Sequence, residues 1–123
     1  MLETGLTHTS SLTVTETLTA KAMGSGDMPV LATPAMMALM ENAAMSAVAP
    51  ELPEGSTTVG GHIESSHLKP TPLGVEVKAE ATLTKVDGRK LYFTVKAMQG
   101  DAVIGEGTHL RFIVDREKFM SKL

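Results

Sequence analysis

Thr33-Pro-Ala-Met-Met-Ala-Leu-Met-Glu-Asn-Ala-Ala-Met-Ser-Ala-Val-Ala-Pro50 decides the architecture of this chain. The stretch is built almost wholly from Ala, Met, Leu and Val, and it is long enough for a helix of roughly four turns. Thr33 suits an N-cap, and Pro34 suits the first helical position, where no backbone donor is missed. Pro50 disfavours helical geometry in the residue before it, so the helix is predicted over 34–49. A helix that is apolar nearly all round must be covered on most sides. One charge interrupts it, Glu41, with Met37, Ala38, Ala44 and Met45 around it. Burying a carboxylate costs several kcal/mol unless it is paired, hydrogen-bonded or protonated. Glu41 is therefore either a carboxylate on one wet face, beside Asn42 and Ser46, or a group the protein uses for acid/base or nucleophilic chemistry.

The flanking segments supply the cover. Ser11 to Lys21 is Thr-rich and partly alternating, which predicts a first strand, preceded by a loose segment over 1–10. Ala22 to Ala32 holds Gly24, Gly26, Asp27 and Pro29 and reads as a loop. Thr57 to Ser66 is a strand with a Gly60-Gly61 pair, a composition that permits a bulge. From Gly74 to Lys85, Val75, Val77, Ala79, Ala81 and Leu83 alternate with polar residues, as a half-buried antiparallel strand does. Asp87-Gly88 turns the chain. Leu91, Phe93, Val95 and Ala97 form the partner strand, and Ala102 to Val114 the last one. Asp115 to Leu123 is a short polar tail with helical character. The class is α+β: an antiparallel sheet of about five strands, the last four in meander, around one helix. One sheet face covers one side of that helix, so a second copy of the chain is expected on the other.

Composition narrows the function. At 123 residues the chain has room for a single domain, 1–123. A net charge of −3, with one Tyr, three Phe and no Trp, offers nothing for nucleic acid or an anionic membrane. The absence of cysteine excludes disulfides, thiolate nucleophiles and Cys-based zinc sites. With no signal-like start and no apolar run near the roughly 20 residues of a membrane span, a cytoplasmic protein is expected. The nine methionines, four of them in the helix as Met36, Met37, Met40 and Met45, suit an irregular core or an apolar ligand wall.

Besides Glu41, three features carry possible chemistry. His62 and His67 are five residues apart with Glu64 between them. On a strand His62 and Glu64 share a face and His67 takes the other, which argues against a shared metal. His67 stands where the strand runs into the Lys69-Pro-Thr-Pro loop, a normal place for a catalytic imidazole, whereas His8 and His109 carry weaker signals. Thr33 is an N-cap, a functional hydroxyl at the positive end of a helix, or both. Gly60-Gly61 is a bulge or the source of a backbone N–H for an oxyanion.

The order of these elements resembles a hot-dog fold, and the sequence is similar to the fluoroacetyl-CoA thioesterase-like branch of that superfamily. The matching stretches are Ala32 to Glu41, Gly60 to His67 with Pro70-Thr-Pro-Leu-Gly74, Asp87 to Leu91, Gly107-Thr-His-Leu-Arg111 and Glu117-Lys-Phe119. The resemblance implies hydrolysis of a small acyl-CoA thioester by Thr33, Glu41 and His67. It also puts the Gly60 backbone at the thioester carbonyl, with Gly61, Met23, Met28 and Met37 lining the substrate. No metal is implied, and no cofactor beyond the CoA of the substrate. The family's lid carries phenylalanines, but Ala22 to Ala32 offers Met23, Met28, Val30 and Leu31 and no Phe, so fluoroacetyl selectivity is not carried over.

Thr33 and Glu41 lie eight residues apart, about 12 Å along a helix and on different stripes. Two antiparallel helices related by a two-fold axis would bring them into one cleft, which places the expected site at the interface of a homodimer or a larger assembly. Two rivals stand beside hydrolysis: a hot-dog hydratase or dehydratase acting on acyl thioesters, and a non-enzymatic acyl-CoA or small-ligand binding module.

Overall fold

In the computed structural model, which describes residues 1–123, the apolar stretch forms helix α2, Thr33–Val48. It packs against a five-stranded antiparallel sheet of β1 (Thr7–Thr13), β2 (Ser56–Ser65), β3 (Glu76–Asp87), β4 (Lys90–Gln99) and β5 (Ala102–Asp115). The short helices α1 (Ala20–Met23) and α3 (Arg116–Ser121) flank this core. The alternation in β3 and β4 sets the inner face: Val77, Ala79, Ala81 and Leu83 are buried beside Leu91, Phe93, Val95 and Ala97. From the helix, Ala35, Met36, Leu39, Met40, Ala43, Ala44, Ala47 and Val48 meet them. Alanines on both sides let helix and sheet approach closely, and each buried Leu, Met or Phe contributes about 1.5–3 kcal/mol. Enlarging Ala44 or Ala81, both fully buried, would overpack this layer at about 1–3 kcal/mol.

Three expectations are corrected. The first strand is not Ser11 to Lys21 but Thr7–Thr13, so residues 7–10 are not a loose segment: they pair with β3 from Thr7↔Thr82 onward. The Thr-rich run after it folds locally. Thr19 donates its hydroxyl to the Glu16 carbonyl (2.8 Å) and caps α1 by accepting from the Ala22 N–H (3.2 Å), bonds that compete with a sheet ladder. Next, only β3-β4-β5 is a meander. The sheet order is β1-β3-β4-β5-β2, which places β2 beside β5 at the far edge. Finally, Thr33 is not the N-cap. Ala32 occupies that position, and Thr33 makes no capping hydrogen bond.

Two features of this frame position the site. A register shift between Gly60 and His62 makes the expected bulge in β2. The helix also keeps one open stripe, with Ala38 and Asn42 exposed and Met37 and Glu41 half-buried, and Met45 is 37% exposed on it. Glu41 is thus no buried charge within one chain; it stands half-exposed on this open stripe.

Candidate active site

The base of the Ala22 to Ala32 loop is tied down on both sides. Ala20 donates its N–H to the Val30 carbonyl (2.8 Å), Ala32 to Leu18 (2.9 Å) and Leu31 to Thr71 (2.8 Å). These bonds bring the start of α2 against the Lys69-Pro-Thr-Pro turn. There the Thr33 hydroxyl lies 2.7 Å from His67 Nδ1. His67 Nε2 is buried and meets no hydrogen-bond partner. Burial pushes the His67 pKa below its ordinary 6.5, with the Lys69 backbone opposing in part. The imidazole is therefore neutral near pH 7, and its Nδ1 can take a proton from the hydroxyl it faces. A cleft of about 290 Å3, lined by Thr33, His67, Leu31, Val30, Lys69 and others, opens beside the pair.

A second group forms midway along α2. Glu41 Oε2 lies 3.8 Å from the terminal Nη1 of Arg111, with side-chain exposures of 41% and 8%. A guanidinium this deep needs its donors satisfied. Arg111 donates Nε–H to the Thr58 hydroxyl (2.8 Å) and Nη2–H to the Thr58 carbonyl (2.9 Å), while Nη1 reaches His109 Nε2 at 3.3 Å. Burial lowers the Arg111 pKa and the Glu41 charge opposes this; an arginine starts so high that it stays a cation. Gly60, which pairs with Arg111 across the strands, lies directly under the carboxylate: a Cβ there would stand 2.8 Å from Glu41 Oε2. Only glycine lets the carboxylate approach the β2 backbone so closely.

The structure thus joins the sequence-predicted residues in pairs, Thr33 with His67 and Glu41 with Gly60. Within one chain the pairs stay apart, on different stripes of the helix. Gly61 is the extra residue of the bulge, and the Phe112 ring occupies the space its Cβ would need. Met37 packs against the core, whereas Met23 and Met28 are 45% and 61% exposed on the loop. The side chains of His62 and Glu64 pair at 3.2 Å in solvent, while the His62 carbonyl oxygen lies 2.6 Å from His109 Nδ1.

Arg111, His109 and Thr58 escaped sequence reasoning as site residues. The signal was parity: in β5, His109 and Arg111 alternate with Thr108, Leu110 and Phe112, which puts a cation and an imidazole on the inner face.

Comparisons with known proteins identify the family and the fold. The family model FlK, fluoroacetyl-CoA-specific thioesterase, matches residues 14–117. The fluoroacetyl-CoA thioesterase of Streptantibioticus cattleyicolor is 42% identical over 94 residues, which cover 76% of this chain and 68% of that protein. A solved structure of FlK in complex with acetyl-CoA, a threonine-to-serine mutant, superposes with a TM-score of 0.93 at 33% identity, covering 98% of this chain and 96% of that one. A Thermus thermophilus hypothetical protein described as a thioesterase superfamily member gives a TM-score of 0.89 at 28% identity, covering 97% and 88%. A five-stranded sheet around a single helix, matched over almost its whole length by thioesterases, is a hot-dog fold, and this chain belongs to the fluoroacetyl-CoA-specific thioesterase family.

Proposed function

We propose that the protein hydrolyses small acyl-CoA thioesters at sites shared between the two subunits of a homodimer, each site combining Thr33 and His67 of one chain with Glu41 and Gly60 of the other. The observation that carries this reading is the 2.7 Å hydrogen bond from Thr33 to a neutral His67 beside an open cleft. Support for the dimer comes from the open stripe of α2, which holds Glu41 among Met37, Ala38 and Met45, and from the outer edge of β2, unpaired within one chain. Exposed edges and apolar stripes of this kind are normally covered.

In this reading the Glu41 carboxylate attacks the thioester carbonyl carbon directly, giving an anhydride that water then cleaves, or takes a proton from the water that attacks. The carbonyl oxygen becomes an oxyanion held by the Gly60 N–H. The C–S bond breaks as the oxyanion collapses, CoA leaves as its thiolate, and that thiolate takes up the proton released by the attacking water, with the Thr33 hydroxyl held beside it by His67. Carboxylate, imidazole and hydroxyl suffice for this chemistry, so no metal or further cofactor is invoked. The Ala22 to Ala32 loop offers Met23, Met28, Val30 and Leu31 and no Phe, which favours a range of short acyl groups over fluoroacetyl alone. A chain without cysteine suits the reducing cytoplasm, and no helix is long and apolar enough to cross a membrane.

Subunit complementation tests the proposal. Glu41→Gln and His67→Ala homodimers are each expected to release little CoA from acetyl- and propionyl-CoA. Mixed and re-equilibrated in equal amounts, they regain about a quarter of wild-type activity, because half the dimers are mixed and each of those has one intact site. No recovery despite demonstrated subunit exchange would sink the shared site, and an inert wild type would sink hydrolysis.

A further inference from the structure

His109 is the most deeply buried imidazole of the chain, 2% exposed, and the catalysis proposed above makes no use of it. Its two nitrogens meet partners of opposite kind. Nδ1 lies 2.6 Å from the His62 carbonyl oxygen, which can only accept, so Nδ1 carries the proton. Nε2 lies 3.3 Å from Nη1 of Arg111, a group that can only donate, so Nε2 must present its lone pair. The neutral Nδ1–H tautomer is the one form that satisfies both contacts. An imidazolium would set N–H against N–H and a second positive charge against the guanidinium.

The bulge explains why the His62 carbonyl can serve a side chain. Gly61 is the extra residue in β2, and the ladder resumes with His62 opposite Leu110 and Ile63 opposite His109. The Phe93 ring of β4 packs at 6.1 Å, tilted by 32°, and adds no charge.

We propose that His109 is a positioning residue: locked in its Nδ1–H tautomer by the His62 carbonyl, it holds Nη1 of Arg111 in place so that the guanidinium faces Glu41 above Gly60. Thr58 fixes the other end of the guanidinium through Nε and Nη2. His109 fixes the end nearest the carboxylate. Without that acceptor, Nη1 loses its only hydrogen-bond partner, since its 3.8 Å approach to Glu41 is an ion pair too long to be a hydrogen bond. The charged and titratable groups around His109 are Arg111 on its own strand, Glu41 from α2 and His62 from β2. Lys85 and Tyr92 line a cleft that His62 and His109 also line. Protonation of His109 in acid removes the acceptor and repels Arg111, so the arrangement is self-consistent only above the depressed pKa of this histidine, with burial the main cause of that depression.

This inference rests on the thioesterase reading for its kinetics but not for its tautomer, and the test separates the two. Nitrogen-15 NMR of the wild-type protein at pH 7 is expected to show His109 neutral and protonated at Nδ1. An Nε2–H tautomer or an imidazolium overturns the proposal whatever the enzyme does with acyl-CoA. His109→Leu removes the acceptor and is expected to lower kcat for acetyl-CoA hydrolysis about 10- to 100-fold, with KM changed by less than about threefold. In His109→Gln the amide oxygen accepts from Arg111 and the amide nitrogen donates to His62. That variant is expected to recover most of the lost kcat and to lack the acid-side inflection that His109 contributes to the pH profile. A Leu variant as active as wild type overturns the proposal, as does a folded Gln variant no better than the Leu variant. Should His109→Leu fail to fold, the tautomer and the Gln variant still decide.

Discussion

The Thr33 hydroxyl and the His67 imidazole meet at 2.7 Å across a sequence separation of 34 residues, where the start of α2 meets the chain leaving β2. Thr33 is the first residue of its helix and leaves the cap position to Ala32, and its hydroxyl meets His67 at Nδ1 while Nε2 is buried without a partner. Thr33→Val keeps the shape and removes the hydroxyl. It is expected to lower kcat for acetyl-CoA at least about tenfold, whereas Thr33→Ser retains a hydroxyl and stays nearer wild type. Steady-state CoA release by the two variants checks this, and equal activities would show that the hydroxyl does not participate.

Glu41 is half-exposed in one chain, so removing its charge creates no cavity. Glu41→Gln is expected to melt within a few degrees of wild type while losing about 100-fold or more in kcat. Paired melting curves and CoA-release assays test both halves of this expectation. A large fall in melting temperature would mean that the carboxylate serves the fold.

The glycines of the bulge separate site from scaffold. At Gly60 the atom in the way of a Cβ is the far end of the flexible Glu41 side chain. Gly60→Ala is therefore expected to displace the carboxylate, costing about 10- to 100-fold in kcat and less than about 1 kcal/mol of stability. At Gly61 the obstacle is the Phe112 ring, and at Gly107 it is the Glu64 backbone. Alanine there is expected to cost about 1–3 kcal/mol, more at Gly107 because a backbone cannot step aside. Urea unfolding ranks the three variants.

Two histidines have folded pKa values below the ordinary 6.5, His67 and His109, each mainly through burial. Above about pH 6.5 both are neutral in the folded and unfolded chain, and neither penalises folding. As the pH falls from there toward the depressed values, the unfolded chain takes up protons that the folded one refuses, so stability declines. Melting temperatures from pH 8 to pH 5 are expected to fall on the acid side, and His67→Gln with His109→Gln to flatten that limb. A pH-independent melting temperature in the wild type would contradict the burial of both imidazoles.

The open stripe of α2 tests the assembly. Ala38→Arg puts a charge where a second copy of the helix is proposed to pack, and Ala38 is exposed in one chain, so the fold itself should survive. Sedimentation is expected to show monomers, with CoA release reduced at least about tenfold because each site loses half its residues. Monomers of undiminished activity would place the whole site within one chain.

The sequence by itself determined the layers. Val77 to Leu83 and Leu91 to Ala97 alternate too regularly to be anything but half-buried strands, and Ala35 to Val48 is too apolar to be anything but covered. It also named Glu41, Thr33, His67 and Gly60, because a carboxylate in an apolar helix, a hydroxyl at a helix start, an imidazole before a proline-rich turn and a glycine in a strand each carry a local signal. β1 was misplaced because Thr7–Thr13 has little apolar alternation of its own; its pairing with β3 holds it. Neighbourhood was beyond local reading altogether. The meeting of Thr33 with His67, and the stacking of His62, His109, Arg111 and Glu41, depend on β2 leaving the chain order to pair with β5 and on one bulge that shifts its register. These are long-range relations between segments tens of residues apart, and only the folded sheet, which sets their backbone pairing and side-chain contacts together, decides them.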